Sequence, residues 1–354
     1  RRRSGVPPRR TIQAARSFKE HGARQVIALD FGRTALCSCA AAAVLSGCGA
    51  AQPPIGAPSA TPQNRDRYAK RGGSWMLPEA KREALLYLAT DSDFAYVIVY
   101  PSGSRAGTIK FPAAFGTGIC SAPGGDIFVT AETDASPTHG YIYRFKHGGT
   151  SPVSTLDDGS ITPTGCSVDR TTGNLAVTNE HEGNSPSGNL AVFEHAKGNP
   201  VTYSDSDFYR YLDPSYDGNG NLYVLGNGSS WLAELPQGGS ALTSIAVNEQ
   251  VNGTHIQWDG KYLALTEPAN NNKSRPIVYR IAVSGSSATV AGETVFGHLR
   301  GPHSGDASWI QGHTITMVDR GVTVGFWRYP RGGKSKKVVG TFSWGKPGMT
   351  VSLP

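Results

Sequence analysis

Six copies of one phrase constrain this chain more than any other feature of its sequence. Each copy is a short apolar segment with aromatic and β-branched residues, then a few polar residues and a glycine. The copies lie at residues 96–103, 141–148, 190–198, 231–238, 277–285 and 324–332, and their closing glycines are 40 to 50 residues apart. Short strands that end in glycine turns at this interval predict an all-β protein made of equal repeats.

A second phrase precedes five of the six copies. It consists of a strand, a glycine-containing turn and a strand that ends in a polar residue, and it lies at 119–132, 166–180, 215–227, 256–267 and 307–319. We assign the second phrase to strands A and B, the first phrase to strand C, and the polar segment after each glycine to an outer strand D. Four antiparallel strands per repeat of this length predict one blade of a β-propeller.

The mismatch of five and six copies predicts how the ring closes. The first repeat begins directly with a strand B at 85–91, and a segment that resembles strand A at 165–169 lies at the other end of the chain, at 348–353. We therefore expect a six-bladed β-propeller over 74–354, in which the C-terminal strand pairs with the first blade and removes the open sheet edge.

The N-terminal region has the pattern of an export signal. An uncharged apolar run at 35–45 follows basic residues, and Leu45-Ser46-Gly47-Cys48 resembles the lipobox of bacterial lipoproteins. We expect a signal region at 1–47, lipidation of Cys48 and a Pro/Ala-rich tether at 48–73. A plain secretory signal is the alternative. Because the first methionine is Met76, either the chain starts at an alternative codon near Val26 or Leu29, or the start is over-extended.

The charge distribution argues against nucleic acid as a partner. The chain carries a formal net charge of +7, but residues 1–47 hold nine Arg and Lys and only two acids, which leaves 25 bases and 25 acids in 48–354. A neutral body lacks the basic surface that binds polyanions. We expect a monomer that is tethered by lipid to the bacterial cell envelope, at the outer membrane or the periplasmic face, and that binds an unidentified protein or small molecule.

The blade phrases resemble those of six-bladed propellers of the NHL and SMP-30/gluconolactonase-like type. The resemblance rests on blocks such as Gly165-Cys-Ser-Val-Asp169 and Gly173-Asn-Leu-Ala-Val-Thr-Asn179, and it extends to lipobox-bearing propeller lipoproteins of environmental bacteria. It covers 74–354. It implies the architecture and no particular activity.

The polar ends of the strands predict where chemistry would lie. The ends of strands B and the starts of strands A share one rim of the ring, which collects Asp91, Glu132, Asn179, Glu180, Asn227, Glu267 and Asp319 from the former and Asp213, His255, His303 and Asp306 from the latter. Oxygen ligands suit Ca²⁺ or another divalent cation, and the lactonase-like propellers hold such an ion on this rim. We therefore name Glu132, Asn179, Asn227 and Asp319 as candidate metal ligands. The alternative is that each side chain caps its own turn, and no cofactor is certain.

Two further expectations concern the cysteines and the activity. Cys120 and Cys166 occupy matching places on neighbouring blades, so they form either a disulfide, which an extracytoplasmic location permits, or two buried thiols. We find no sequence motif of a nucleophilic or phosphate-binding enzyme. A binding or scaffold module is therefore our main prediction, and a metal-dependent lactonase-like hydrolase is the alternative.

Overall fold

The computed structural model describes residues 73–134, 138–159, 161–182, 187–228, 230–249, 251–269, 275–297, 305–319, 323–340 and 348–354. The predicted signal region 1–47, the lipidation site Cys48 and nearly all of the tether lie outside these residues. Within the described part, no helix has both the length and the apolar character needed to cross a membrane.

The described segments are almost entirely β-structure, with two short 3₁₀ turns at Pro78–Arg82 and Glu194–Ala196. In chain order the strands are β1 (Trp75–Met76), β2 (Leu85–Ala89), β3 (Phe94–Val99), β4 (Arg105–Lys110), β5 (Phe115–Ser121), β6 (Ile127–Glu132), β7 (Gly140–Phe145), β8 (Pro152–Gly159), β9 (Ile161–Val168), β10 (Leu175–Glu182), β11 (Asn189–Phe193), β12 (Val201–Tyr203), β13 (Phe208–Tyr216), β14 (Leu222–Gly228), β15 (Leu232–Leu235), β16 (Thr243–Ser244), β17 (Ala246–Val247), β18 (His255–Trp258), β19 (Leu263–Glu267), β20 (Ile277–Ser284), β21 (Ser287–Val295), β22 (Ser308–Gln311), β23 (Thr314–Asp319), β24 (Thr323–Arg328), β25 (Lys337–Val339) and β26 (Met349–Ser352).

These strands form six sheets, which are the six blades of a β-propeller. From the inside outward, blade 1 is β26-β2-β3-β4-β1, blade 2 is β5 to β8, blade 3 is β9 to β12, blade 4 is β13 to β16, blade 5 is β18-β19-β20-β21-β17 and blade 6 is β22 to β25. The predicted fold class and blade count are confirmed. The short outermost strands β1 and β17 were not predicted.

The C-terminal strand closes the ring as the sequence predicts. Strand β26 pairs antiparallel with β2, with Leu85 opposite Ser352 and Leu88 opposite Met349, and all four residues of β26 are buried. Thr350 on β26 also donates a hydrogen bond of 2.9 Å to the Ser121 hydroxyl of blade 2. The first and last segments of the propeller therefore belong to one sheet.

The hydrophobic core consists of six clusters, each formed by residues from two neighbouring blades. Each blade therefore has both of its faces buried, and this explains why strand B of blade 1, Leu85–Ala89, is apolar throughout and buried at every position. Trp231, Trp258, Trp309 and Trp327 all belong to these clusters or pack against them, as expected for residues between blades.

A recurring hydrogen bond ties the inner strands together. Ser167, Ser215 and Gln257 hold the same register position, each opposite the second residue of its strand B. Each bonds to the backbone of the next blade: Ser167 Oγ accepts from Tyr216 N (3.2 Å), Ser215 Oγ accepts from Trp258 N (2.9 Å), and Gln257 contacts both Ile310 N (2.7 Å) and Ile310 O (2.8 Å). We call this the linking position. In blade 2 it is occupied by Cys120.

Candidate functional site

The inner strands of the six blades surround a central channel with a volume of about 1370 Å³. Its walls include apolar side chains such as Phe115, Ile119, Trp258 and Trp309. The described residues that line it include seven carboxylates and two arginines, namely Asp91, Glu132, Glu180, Asp213, Asp217, Asp259 and Asp306 with Arg170 and Arg210. The channel is thus acidic although the propeller as a whole is close to neutral.

One register position of the inner strands departs from the repeat in two adjacent blades. The residues opposite the fourth residue of strand B are Gly118, Gly165, Asp213 and His255 in blades 2, 3, 4 and 5. Strands β2 and β23 begin one residue earlier than the other strands B, because Leu86 and Ile315 are their first residues that pack on the preceding blade. The counterparts there are Gly348, whose carbonyl accepts from Ala89 N, and Ala307, whose carbonyl accepts from Val318 N. Four of the six residues are glycine or alanine, whereas blades 4 and 5 carry an acid and an imidazole. Both of these line the channel.

Asp213 and His255 contact each other directly. His255 Nδ1 lies 2.7 Å from Asp213 Oδ2, and the two side chains are only 21% and 12% exposed. The same carboxylate oxygen accepts a hydrogen bond of 2.8 Å from the backbone N–H of Ile256. Because a recurring turn cap would contact its own turn, a pair that joins two blades is not explained by the capping interpretation.

Gly165 makes room for this carboxylate. A Cβ atom on Gly165 would lie 2.4 Å from Asp213 Oδ1 and 3.0 Å from the Cδ of Pro214. The Asp213 carboxylate therefore has neighbours in three blades. It packs against Gly165 in blade 3, belongs to a strand of blade 4, and contacts His255 and Ile256 N in blade 5. Such support fixes the rotamer of a side chain before any ligand is present.

A second group of polar side chains lies at the channel mouth. Arg210 Nη1 and Glu180 Oε1 are 2.9 Å apart. The pKa of Glu132 is raised, mainly by burial and further by the negative charge of Glu180, while a hydrogen bond with Thr162 partly offsets this. The exposed ring of Phe115 stands directly opposite Glu132 in the β5–β6 ladder.

The four predicted metal ligands occupy two different register positions. By their pairing with strands A and C, Glu132 and Asn227 lie two residues after the fourth residue of strand B, whereas Asn179 and Asp319 lie one residue after it. Successive side chains of a strand point to opposite faces, so this set does not share one face. Of the four, only Glu132 lines the channel.

Asn179 has its own partners away from the channel. It is fully buried, and its side-chain amide lies between the Asn189 amide on β11, at 2.8 Å, and Asp158 Oδ2, at 3.0 Å, to which the amide nitrogen donates. Asn227 is exposed and Asp319 is half-buried. Among the described residues, no three His, Cys, Asp or Glu side chains are grouped so that they could hold a metal ion.

Burial also perturbs Asp158, which lies at the end of β8 beside Asn179. Burial raises the pKa of its carboxyl to about 7, although the hydrogen bond with Asn179 opposes this shift. Its Oδ1 has no hydrogen-bond partner among the described residues.

Cys120 and Cys166 are joined by a disulfide between blades 2 and 3, with Cα atoms 5.6 Å apart. Their predicted equivalence is wrong by one residue, because Cys120 stands opposite Phe128, the second residue of β6, and Cys166 opposite Val177, the third residue of β10. Successive side chains of a strand point to opposite faces of its sheet. Two neighbouring blades contact each other through opposite faces, so a residue at one register position meets a residue one position further along in the next blade.

Asp213 and His255 were predicted to lie on the rim, but they were not among the four candidate metal ligands. Those four were chosen because they end strands B, and polar residues recur there from blade to blade. Aligning the strands A on Gly118 and Gly165 would have shown an acid and a histidine where other blades have small or apolar residues.

Comparisons with known proteins establish the fold and nothing narrower. No protein-family model matches the chain, and no curated protein matches it. A chain in the crystal structure of a nidogen/laminin complex is similar over 76% of this chain and 98% of its own length, with 14% identity and a TM-score of 0.56. A protein of unknown function from Bacteroides caccae is similar over 77% of this chain and 100% of its own, with 9% identity and a TM-score of 0.53. At these identities, the likeness supports the six-bladed β-propeller and leaves the activity open.

Proposed function

We propose that this chain is a lipid-anchored, extracytoplasmic β-propeller that acts as a binding module through its central channel. The observation that carries the proposal is the coordinated departure of Asp213 and His255 from the blade repeat, at one register position and in direct contact. A pocket with apolar walls and a few fixed polar groups is the usual form of a small-molecule site.

The location rests on the N-terminal pattern and agrees with the cysteines. The lipobox-like sequence at Cys48 and the tether at 48–73 favour a domain held away from a membrane surface, and the Cys120–Cys166 bond is of a kind that persists outside the cytoplasm. The finer kinship with NHL and SMP-30-like propellers is part of this proposal. Replacing Cys48 by alanine should move the protein from the membrane fraction to the soluble fraction, and retention in the membrane would contradict the lipid anchor.

Binding should depend on an open channel. Thr254 is exposed and lines the channel, so Thr254→Trp would fill part of it without disturbing the core. Thr155→Trp, on the exposed side of the outer strand β8, is the matched control. We expect compounds from a library of neutral, cationic and anionic organic molecules to bind the full chain by ligand-observed NMR. Their binding should be lost in Thr254→Trp alone.

A protein partner is the second form of the same proposal. The crystal structure of a nidogen/laminin complex contains a chain with a similar fold, which supports this form of the proposal. If the ligand is instead a protein that covers the rim, small molecules should bind neither the wild type nor Thr254→Trp. The variant should then bind the protein partner more weakly than the wild type does.

The alternative is a metal-dependent lactonase-like hydrolase with Ca²⁺ or another divalent ion at Glu132, whose partly buried carboxylate is a hard oxygen donor. Metal analysis of the purified full chain, with simple lactones assayed before and after chelation, decides between the two. Stoichiometric metal together with a chelator-sensitive lactonase activity would favour the hydrolase over the binding module.

A further inference from the structure

This inference rests on the proposed binding function and concerns which ligands the channel accepts. The contacts of Asp213 determine the state of the His255 ring. Asp213 Oδ2 accepts from Ile256 N at 2.8 Å and faces His255 Nδ1 at 2.7 Å. A carboxylate is an acceptor, so in the neutral ring the proton sits on Nδ1 and Nε2 carries the lone pair.

His255 Nε2 is left without a counterpart. It is buried and has no hydrogen-bond partner among the described residues, while the exposed fraction of the side chain opens into the channel that it lines. Buried polar atoms in native proteins are nearly always satisfied, so an orphaned acceptor calls for a water molecule or a ligand group. A group that meets Nε2 in this tautomer must be a hydrogen-bond donor.

The charge and walls of the channel restrict the donor further. Seven carboxylates and two arginines line it, and a cavity with low-dielectric walls concentrates the potential of such charges. Anionic ligands are therefore disfavoured. The half-buried indoles of Trp258 and Trp309 and the exposed ring of Phe115 suit the apolar faces of an organic molecule rather than a bare ion.

We propose that the Asp213–His255 pair is the ligand-contacting element of the channel, and that its ligand is a neutral or cationic organic molecule that donates a hydroxyl or N–H hydrogen bond to His255 Nε2. Asp213 is a positioning residue in this arrangement, because it acts through the ring. Glycerol-like polyols, simple sugars and primary amines represent the accepted class. Carboxylates such as citrate represent the rejected class.

The test uses full-length protein labelled with ¹⁵N-histidine. Asp213→Leu removes the acceptor that holds the ring proton on Nδ1, whereas an asparagine oxygen would still accept from Ile256 N and from Nδ1. Long-range ¹H–¹⁵N spectra should show the Nδ1–H tautomer of His255 in the wild type and a loss of that tautomer in the variant. Affinity for the polyol or amine probes should fall at least tenfold in Asp213→Leu and in His255→Gln, and the exposed control Asp157→Leu should bind as the wild type does.

The outcomes separate the two proposals. Probe binding that is lost in Thr254→Trp but unchanged in Asp213→Leu and His255→Gln, or a channel that takes only carboxylates, would overturn this inference and leave the binding function standing. If no probe binds in a way that Thr254→Trp abolishes, the small-molecule form of the binding function fails as well. Thermal unfolding of each variant shows whether a loss of affinity is a loss of folding.

Discussion

The Cys120–Cys166 bond takes the place of a polar link that other blades possess. At the linking position, Ser167 and Ser215 each accept a hydrogen bond from the next blade's backbone, whereas Cys120 is bonded to Cys166. By register, the N–H that a serine at position 120 would meet is that of Val168, the counterpart of Tyr216 N. A serine at position 120 can therefore replace the disulfide by a hydrogen bond with Val168 N.

The expected magnitude follows from the loop that the bond closes. The two cysteines are 46 residues apart, for which the chain-entropy relation gives about 4 kcal/mol of stabilisation. Removal in Cys120→Ala/Cys166→Ala should lower the melting temperature by on the order of 10 °C for a domain of this size. Cys120→Ser/Cys166→Ala should recover about 1 kcal/mol through the hydrogen bond to Val168 N.

Urea unfolding followed by circular dichroism, with and without reductant, measures these differences. The wild type should weaken in reductant to about the level of the double alanine variant, and neither variant should respond to reductant. A wild-type midpoint that does not change in reductant would contradict the stabilising role of the disulfide. A serine variant no more stable than the double alanine variant would contradict the hydrogen bond to Val168 N.

Two other substitutions test the polar groups near the rim. Because burial raises the pKa of Asp158 to about 7, its contribution to stability is present below pH 4 and is lost as pH rises through 7. Asp158→Asn should therefore be more stable than the wild type at pH 8, by up to about 4 kcal/mol, whereas Asp157→Asn, whose carboxyl has a lowered pKa, should have a small effect of the opposite sign. Urea midpoints at pH 5 and pH 8 check both. Gly165→Ala would place a Cβ 2.4 Å from Asp213 Oδ1 and should cost about 1–3 kcal/mol, while Gly124→Ala, which meets nothing within 4 Å, should be near neutral in the same assay. Equal stabilities of the two alanine variants would contradict the close packing of the carboxylate.

The architecture was predictable because it repeats. Six copies of a strand phrase and five of its partner required a closing strand, and β26 supplies it. The two-residue strands β1 and β17 were not predictable, since each pairs through its backbone with an outer strand and has too few residues to show alternation.

The site was predictable only in part. The end of strand B located the rim, and Glu132 does line the channel, but Asn179 points into a buried contact with Asn189. Strand register, which a single sequence does not display, decides which of two adjacent polar residues faces the channel. The contact between Asp213 and His255 likewise depends on the approach of two blades from different parts of the chain.

A crystal structure of the full chain with the tightest-binding neutral or cationic compound would show where the ligand lies. We expect the compound inside the channel, with a donor group within hydrogen-bond distance of His255 Nε2 and the Asp213–His255 contact intact. A compound bound on the outer strands or beyond the rim, with the channel unoccupied, would contradict this expectation.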